Sequence, residues 1–260
     1  MLYSGLVSIT FRNLGCERII ELVKNSGLNA IEWGGDIHVP HGNLKKAEEV
    51  GHKTREADLK IAAYGSYYRV GCDNKEIGSF SKVLNTALKL EAPTIRVWAG
   101  DKGSDEADSD WWEKIVEESR KIADMAADKN IKIAFEYHGG TLTDTDESAL
   151  KLIKKINHPN IYSYWQPPHN MSLKERAQTL NNILPWLENV HVFYWTNSPE
   201  RKRYALAQAR NDWLKYFEIM KKTDKDHFAM LEFVKGDNPD QFKQDALTLK
   251  NLINRVNNKA

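Results

Sequence analysis

An apolar run in the stretch IKIAFEYHGGTLTDT, Ile131–Thr145, ends in Glu136 and His138 and then breaks at two glycines. A carboxylate at the end of such a run is costly to bury unless it is paired or binds a cation. Comparable polar residues close three later apolar runs: Gln166 and His169 in Gln166-Pro-Pro-His169, His191 in VHVFYW, and Glu232 in MLEFV. Each has an ordinary explanation when taken singly. Arg96 could neutralise Glu136, His191 could be a hydrogen-bonded core histidine, and Gln166 could be a polar loop residue. Together, Glu136, Gln166, His191 and Glu232 offer two carboxylates, an imidazole and an amide oxygen. That donor set suits one divalent cation, Mn²⁺, Mg²⁺ or Co²⁺, with Zn²⁺ also admissible. No thiolate joins it, so a closed structural zinc site is not indicated.

These residues converge only if their strands lie side by side and point the same way. Eight strand-like runs are predicted: Leu6–Phe11, Asn29–Trp33, Lys60–Tyr64, Thr94–Trp98, Ile131–Phe135, Ile161–Trp165, Val190–Trp195 and His227–Val234. Helical runs alternate with them, at Cys16–Asn25, Leu44–Ala57, Ile77–Leu90, Trp111–Asp128, Glu147–Ile156, Leu173–Leu187, Asn211–Lys222 and Pro239–Val256. A polar, Arg-rich loop, Asn197–Arg203, follows the seventh strand. Each strand thus has room for a crossover helix before the next, the rhythm of parallel βα units. Eight units predict an α/β chain forming a single (β/α)8 TIM barrel over residues 1–260, with functional residues at the C-terminal strand ends. Period-two alternation puts Ala134, Glu136 and His138 on the inner face of the fifth strand and Ile133, Phe135 and Tyr137 on the outer. By the same rule Trp33 faces out if Glu32 faces in.

The bulk properties exclude several classes. With 37 basic and 36 acidic residues the formal net charge is +1. Nothing in that balance or its distribution favours nucleic acid as a partner. The two cysteines, Cys16 and Cys72, form neither a disulfide framework nor a thiolate site, and fit a reduced cytoplasmic protein. No signal-peptide pattern or membrane-spanning apolar run is present.

The order and spacing of FEYHGG, Gln166-Pro-Pro-His169, VHVFYW and MLEFV resemble the xylose isomerase-like TIM-barrel superfamily of sugar-phosphate isomerases, epimerases and dehydratases. The resemblance covers essentially the whole chain. Members usually hold a metal with Glu, Asp, His and Glu at the ends of strands five to eight; here Glu136, His191 and Glu232 match the first, third and fourth. The second position departs, because Gln166 stands where Asp is usual, although His169 matches the trailing histidine. The resemblance implies Glu136 and Glu232 as a catalytic acid/base pair on opposite faces of a ketose, and His169 as a substrate contact. A neutral amide in place of a carboxylate should weaken metal binding and sharpen Lewis acidity.

The same barrel end is rich in groups that suit a small-molecule sugar. Trp98 and Trp195 offer flat aromatic faces, as do Trp33, Tyr64, Tyr67, Tyr68 and Trp165. Arg69 and Arg96, with Arg201 and Arg203, could hold a carboxylate or phosphate. His138 follows Glu136, and one of His38 and His41, chosen as His38, should reach the substrate. The leading functional reading is a metal-dependent sugar isomerase or epimerase that removes a proton beside a carbonyl. The alternative is a lyase or dehydratase acting on a keto-sugar or 3-keto-glycoside with the same metal and carboxylates. More remote readings are an endonuclease IV-like nuclease and a non-catalytic sugar-binding relative. A homo-oligomer is compatible with all of them.

Overall fold

Short apolar strands separated by amphipathic helices have one economical way to bury both faces of a parallel sheet, which is to close it inside a ring of helices. The computed structural model describes residues 1–196 and 200–258 and has this architecture. The strands are β1 (Leu2–Val7), β2 (Ala30–Gly34), β3 (Lys60–Arg69), β4 (Thr94–Trp98), β5 (Lys132–Glu136), β6 (Ile161–Trp165), β7 (Leu187–Val192) and β8 (His227–Leu231). All pair in parallel, and β1 pairs with both β2 and β8, so the sheet closes into a (β/α)8 barrel. The helices are α1 (Cys16–Asn25), α2 (Leu44–Glu56), α3 (Phe80–Leu90), α4 (Ser109–Ala127), α5 (Asp146–Ile156), α6 (Leu173–Ile183), α7 (Arg210–Met220) and α8 (Pro239–Asn257).

Several boundaries differ from the sequence expectation. The first strand is Leu2–Val7, not Leu6–Phe11, because pairing with β8 already begins at Leu2 opposite His227; Ser8–Phe11 is a 3-10 turn. Helix α6 stops at Ile183, since Pro185 has no amide proton to continue it. A 3-10 turn, Leu184–Trp186, then feeds β7 three residues earlier than expected. Strand β3 runs on to Arg69. The Arg-rich loop expected over Asn197–Arg203 falls partly outside the described residues; its end pairs Lys202–Arg203 with Trp195–Thr196 in a short antiparallel ribbon.

The helix ends carry the expected chemistry. Gly27, just past α1, has φ +65, and Ser172 and Glu175 form a reciprocal capping box on α6. Cys16 and Cys72 are free. Among the described residues no helix is long and apolar enough to cross a membrane.

Two apolar layers result. The outer one, between strands and helices, takes Ile133, Phe135 and Tyr137 of β5 and its end, and Trp33, whose indole donates to Thr54 on α2 at 3.2 Å. The inner one is lined by small residues, Ala30, Ala63 and Ala134, with Tyr164 and Met230. Those alanines leave the upper barrel open for longer polar side chains.

Candidate functional site

Five ionisable side chains fill that upper layer: Glu32 from β2, Arg96 from β4, Glu136 from β5, His191 from β7 and Glu232 just beyond β8. All five are buried. Gly65 on β3 makes room for them, because a Cβ there would lie 2.7 Å from the Arg96 guanidinium and 2.8 Å from Glu32 Oε1. Arg96 Nε donates to Glu32 Oε1 at 2.7 Å, and its Nη1 donates to Glu136 Oε2. Trp98 Nε1 donates to the same Glu136 oxygen at 2.5 Å. His191 lies between the carboxylates, with Nε2 3.4 Å from Glu32 Oε2, and Nδ1 3.3 Å from Glu136 Oε1 and 3.6 Å from Glu232 Oε2.

The two outer glutamates differ sharply. Burial alone would raise both. At Glu136 the Arg96 charge and His191 overcome burial and hold the carboxyl well below the usual carboxylate range. Glu232 accepts no hydrogen bond among the described residues, and burial together with the Glu136 and Glu32 charges pushes it up to about 7. Burial would lower His191, but Glu232 and Glu32 push it up to about 10. Burial likewise opposes ionisation of Glu32, and Arg96 and His191 reverse it.

The donor atoms fit a metal ion. One atom each from Glu136, His191 and Glu232 lie within 4.8 Å of one another, and His191 Nδ1 is a buried nitrogen without a hydrogen-bond partner among the described residues. Charge agrees. Three carboxylates and Arg96 sum to −2, so a divalent ion with neutral His191 makes the cluster neutral. Without the ion, protons on His191 and Glu232 achieve the same balance. Gln166 lines the same cavity; its Nε2 donates to the Tyr137 carbonyl, which leaves the amide oxygen as the free end.

Above the cluster opens a cavity of about 680 Å³ at the C-terminal ends of the strands. Arg96, Trp98, His138, His169 and Trp195 all line it, as expected of substrate contacts. Two expected contacts lie elsewhere. His38 is buried beneath the loops, with Nδ1 3.0 Å from Ser8 Oγ and Nε2 3.2 Å from the Leu14 carbonyl, so both ring nitrogens are occupied and it serves the fold. Arg69 stands behind the wall, its guanidinium 4.4 Å from the Trp98 ring centre and bonded to the Gly100 carbonyl at 3.3 Å. It supports Trp98 and does not line the cavity. His41 is also withdrawn, hydrogen-bonded to Tyr64 at 2.7 Å.

Sequence reasoning passed over Glu32 as a site residue, although it interrupts the buried strand AIEWG as Glu136 interrupts its own. It also gave no place to Arg12 and Phe233, which line the cavity together with Tyr67, one of the aromatic faces expected there. Tyr67 and Phe233 have φ of +57 and +49. Bulky residues avoid that region, and such strain, about 1–3 kcal/mol each, gathers where a side chain must be aimed. Arg12 pairs with Asp36 and donates to the Tyr67 hydroxyl at 3.3 Å.

A family model described as xylose isomerase-like TIM barrel matches residues 20–252. The chain belongs to the xylose isomerase-like TIM barrel family. Within the family, it is similar to a 3-dehydroshikimate dehydratase of Bacillus anthracis, with 25% identity over 96% of this chain and 97% of the relative. The fold matches the crystal structure of the probable 3-DHS dehydratase AsbF of Bacillus anthracis, with a TM-score of 0.76, 22% identity, and 96% and 99% of the two chains covered. It also matches D-psicose 3-epimerase of Clostridium cellulolyticum H10 with D-tagatose, with a TM-score of 0.72, 13% identity, and 98% and 99% covered. Dehydratases and epimerases thus share this barrel, and what separates them must be read from the site.

Proposed function

We propose that this protein is a metal-dependent dehydratase that removes water from a polyhydroxylated carbonyl compound of the keto-sugar or 3-dehydroshikimate kind. The observation that carries this reading is the inequality of the two glutamates. An epimerase of this architecture needs two carboxylates that exchange protons with opposite substrate faces. Glu136 is ill suited, because Arg96 and Trp98 both donate to its Oε2, and Arg96 and His191 overcome burial to keep it strongly acidic. Of the two, Glu232 accepts no hydrogen bond among the described residues, so its carboxylate is the one free to take up and return a proton. The similarity to a dehydratase over nearly the full length of both chains points the same way.

One carboxyl suffices for elimination on a single face. Glu232 takes the proton from the carbon beside the carbonyl, and the electron pair moves toward the carbonyl oxygen. As that pair returns, the bond from the next carbon to its hydroxyl breaks. The proton on Glu232 passes to the departing oxygen, giving water and an unsaturated carbonyl product, and Glu232 is regenerated. Glu136, His191, Glu232 and the Gln166 amide oxygen would hold a divalent metal, which supplies Lewis-acid polarisation of the substrate carbonyl. Trp98, Trp195 and the strained Tyr67 and Phe233 enclose the ring, while His138 and His169 offer hydrogen bonds to hydroxyls.

Incubation with 3-dehydroshikimate, 3-keto-glycosides and free ketoses in deuterated water tests the proposal. A product lighter by one water, with new near-ultraviolet absorbance, is expected from one of these classes. A rearranged sugar of unchanged formula carrying one deuterium would refute it in favour of an isomerase or epimerase.

A further inference from the structure

Glu32 comes from the middle of β2, two strands around the barrel from β8 and three from β5, and it is fully buried. It has two polar neighbours. Its Oε1 accepts from Arg96 Nε at 2.7 Å, and its Oε2 faces His191 Nε2 at 3.4 Å. The other nitrogen of the same imidazole, Nδ1, has no hydrogen-bond partner among the described residues and faces Glu136 and Glu232. A neutral imidazole carries one N–H and one free electron pair, and the partner of the first decides where the second points.

We propose that Glu32 is the positioning residue of the metal centre: by accepting Nε2–H it holds His191 in the tautomer whose Nδ1 electron pair is directed at the ion. The inference rests on the metal-binding reading of Glu136, His191 and Glu232. Carboxylates behind metal-bound histidines orient the ring and strengthen the nitrogen as a donor, and their loss costs about 10- to 100-fold in metal affinity. Two features make Glu32 suited to this task. Arg96 occupies one of its oxygens, so only the other is available to His191. Gly65 leaves room for Glu32 and Arg96 to pair, since a Cβ there would lie 2.8 Å from Glu32 Oε1 and 2.7 Å from the Arg96 guanidinium.

The geometry singles out Glu32→Gln as the informative variant. An amide has one oxygen, and Arg96, always a donor, requires it. The amide nitrogen then faces His191 Nε2 and needs an acceptor there. The imidazole is driven to the Nδ1–H tautomer, which points a proton at the ion's position. Size and packing barely change, so the variant separates a tautomer effect from a merely structural one.

Mn²⁺ binding by titration calorimetry, alongside thermal melting without metal, is measured for the wild type and Glu32→Gln. A second measurement needs no variant: a long-range ¹H–¹⁵N spectrum of the Zn²⁺-loaded wild type reads which His191 nitrogen carries hydrogen. The expected results are a fall of about 10- to 100-fold in affinity with a preserved melting transition, and a proton on Nε2 with the metal on Nδ1. If Glu32→Gln fails to fold, the spectrum alone decides. Wild-type affinity in the variant, or a metal on Nε2, would overturn the role of Glu32 and leave the metal site standing. A wild type that binds no divalent metal would remove the site itself, and Glu32's role with it.

Discussion

Metal binding at this cluster should be a proton-exchange reaction whose stoichiometry changes with pH. In the metal-free protein His191 is raised to about 10 and Glu232 to about 7, while Glu136 and Glu32 stay ionised. A metal requires the free Nδ1 pair of His191 and the ionised form of Glu232, so both protons must leave. Below pH 7 the reaction releases about two protons, and between pH 7 and 10 about one. The affinity for Mn²⁺ should therefore rise about 100-fold per pH unit near pH 5.5 and about tenfold per unit near pH 8.5. Calorimetry in buffers of different ionisation enthalpy counts the protons directly. An affinity that does not vary between about pH 5.5 and 8.5 would refute the argument. So would release of well under one proton at about pH 6, since it would mean that the cluster is already deprotonated and bears its negative charge uncompensated.

The same shifts set the stability of the metal-free protein. Both groups have raised folded-state values, so each favours the fold at low pH and loses that contribution as pH rises, Glu232 through about 7 and His191 through about 10. The melting temperature without metal should fall from pH 6 to 9, and the increment that Mn²⁺ adds should grow. Replacing Arg96 by Met leaves Glu32 and Glu136 buried without their cation, a loss of about 3–5 kcal/mol that thermal melting of the metal-free protein would show as a drop of about 10 °C. Glu232→Gln should abolish turnover, with a rate loss of about 10²–10⁴-fold. Glu136→Gln should weaken metal binding and leave near-normal turnover at saturating metal, which steady-state kinetics over a Mn²⁺ series would resolve.

The fold was legible because each strand is an apolar run with room for a helix after it. The error at β1 arose because Ser8–Phe11 is as apolar as the strand it follows, and only its register against β8 shows where the ladder ends. Glu136, His191 and Glu232 stood out because a charged or polar group inside an apolar run is anomalous. Glu32 carries the same anomaly, but its meaning depends on Arg96 and His191, which are distant in sequence and adjacent only across the closed barrel. His38 misled for the same reason: its residue type suggests chemistry, while Ser8 and the Leu14 carbonyl, supplied by the first strand end and its loop, occupy both its nitrogens. The left-handed backbone of Tyr67 and Phe233 leaves no trace in residue type at all.

The charge count gives Gln166 a second meaning. Glu32 and Arg96 cancel one another, so with or without that pair a divalent ion and neutral His191 bring the cluster to neutrality, and one more carboxylate at position 166 would leave it at −1. The added charge should still increase Mn²⁺ affinity in Gln166→Asp, yet it should also make the substrate carbonyl less polarised and turnover slower. Gln166→Glu isolates a second constraint. The Gln166 amide nitrogen donates to the Tyr137 carbonyl, so a carboxylate of equal length would bring two acceptors together. That variant should either protonate at the Tyr137 side or turn away, and gain less metal affinity than Gln166→Asp in spite of carrying the same formal charge. Parallel Mn²⁺ titrations of the two variants and the wild type at pH 8 decide it. If Gln166→Glu binds as tightly as Gln166→Asp, the Tyr137 carbonyl places no demand on this position, and charge alone governs the site.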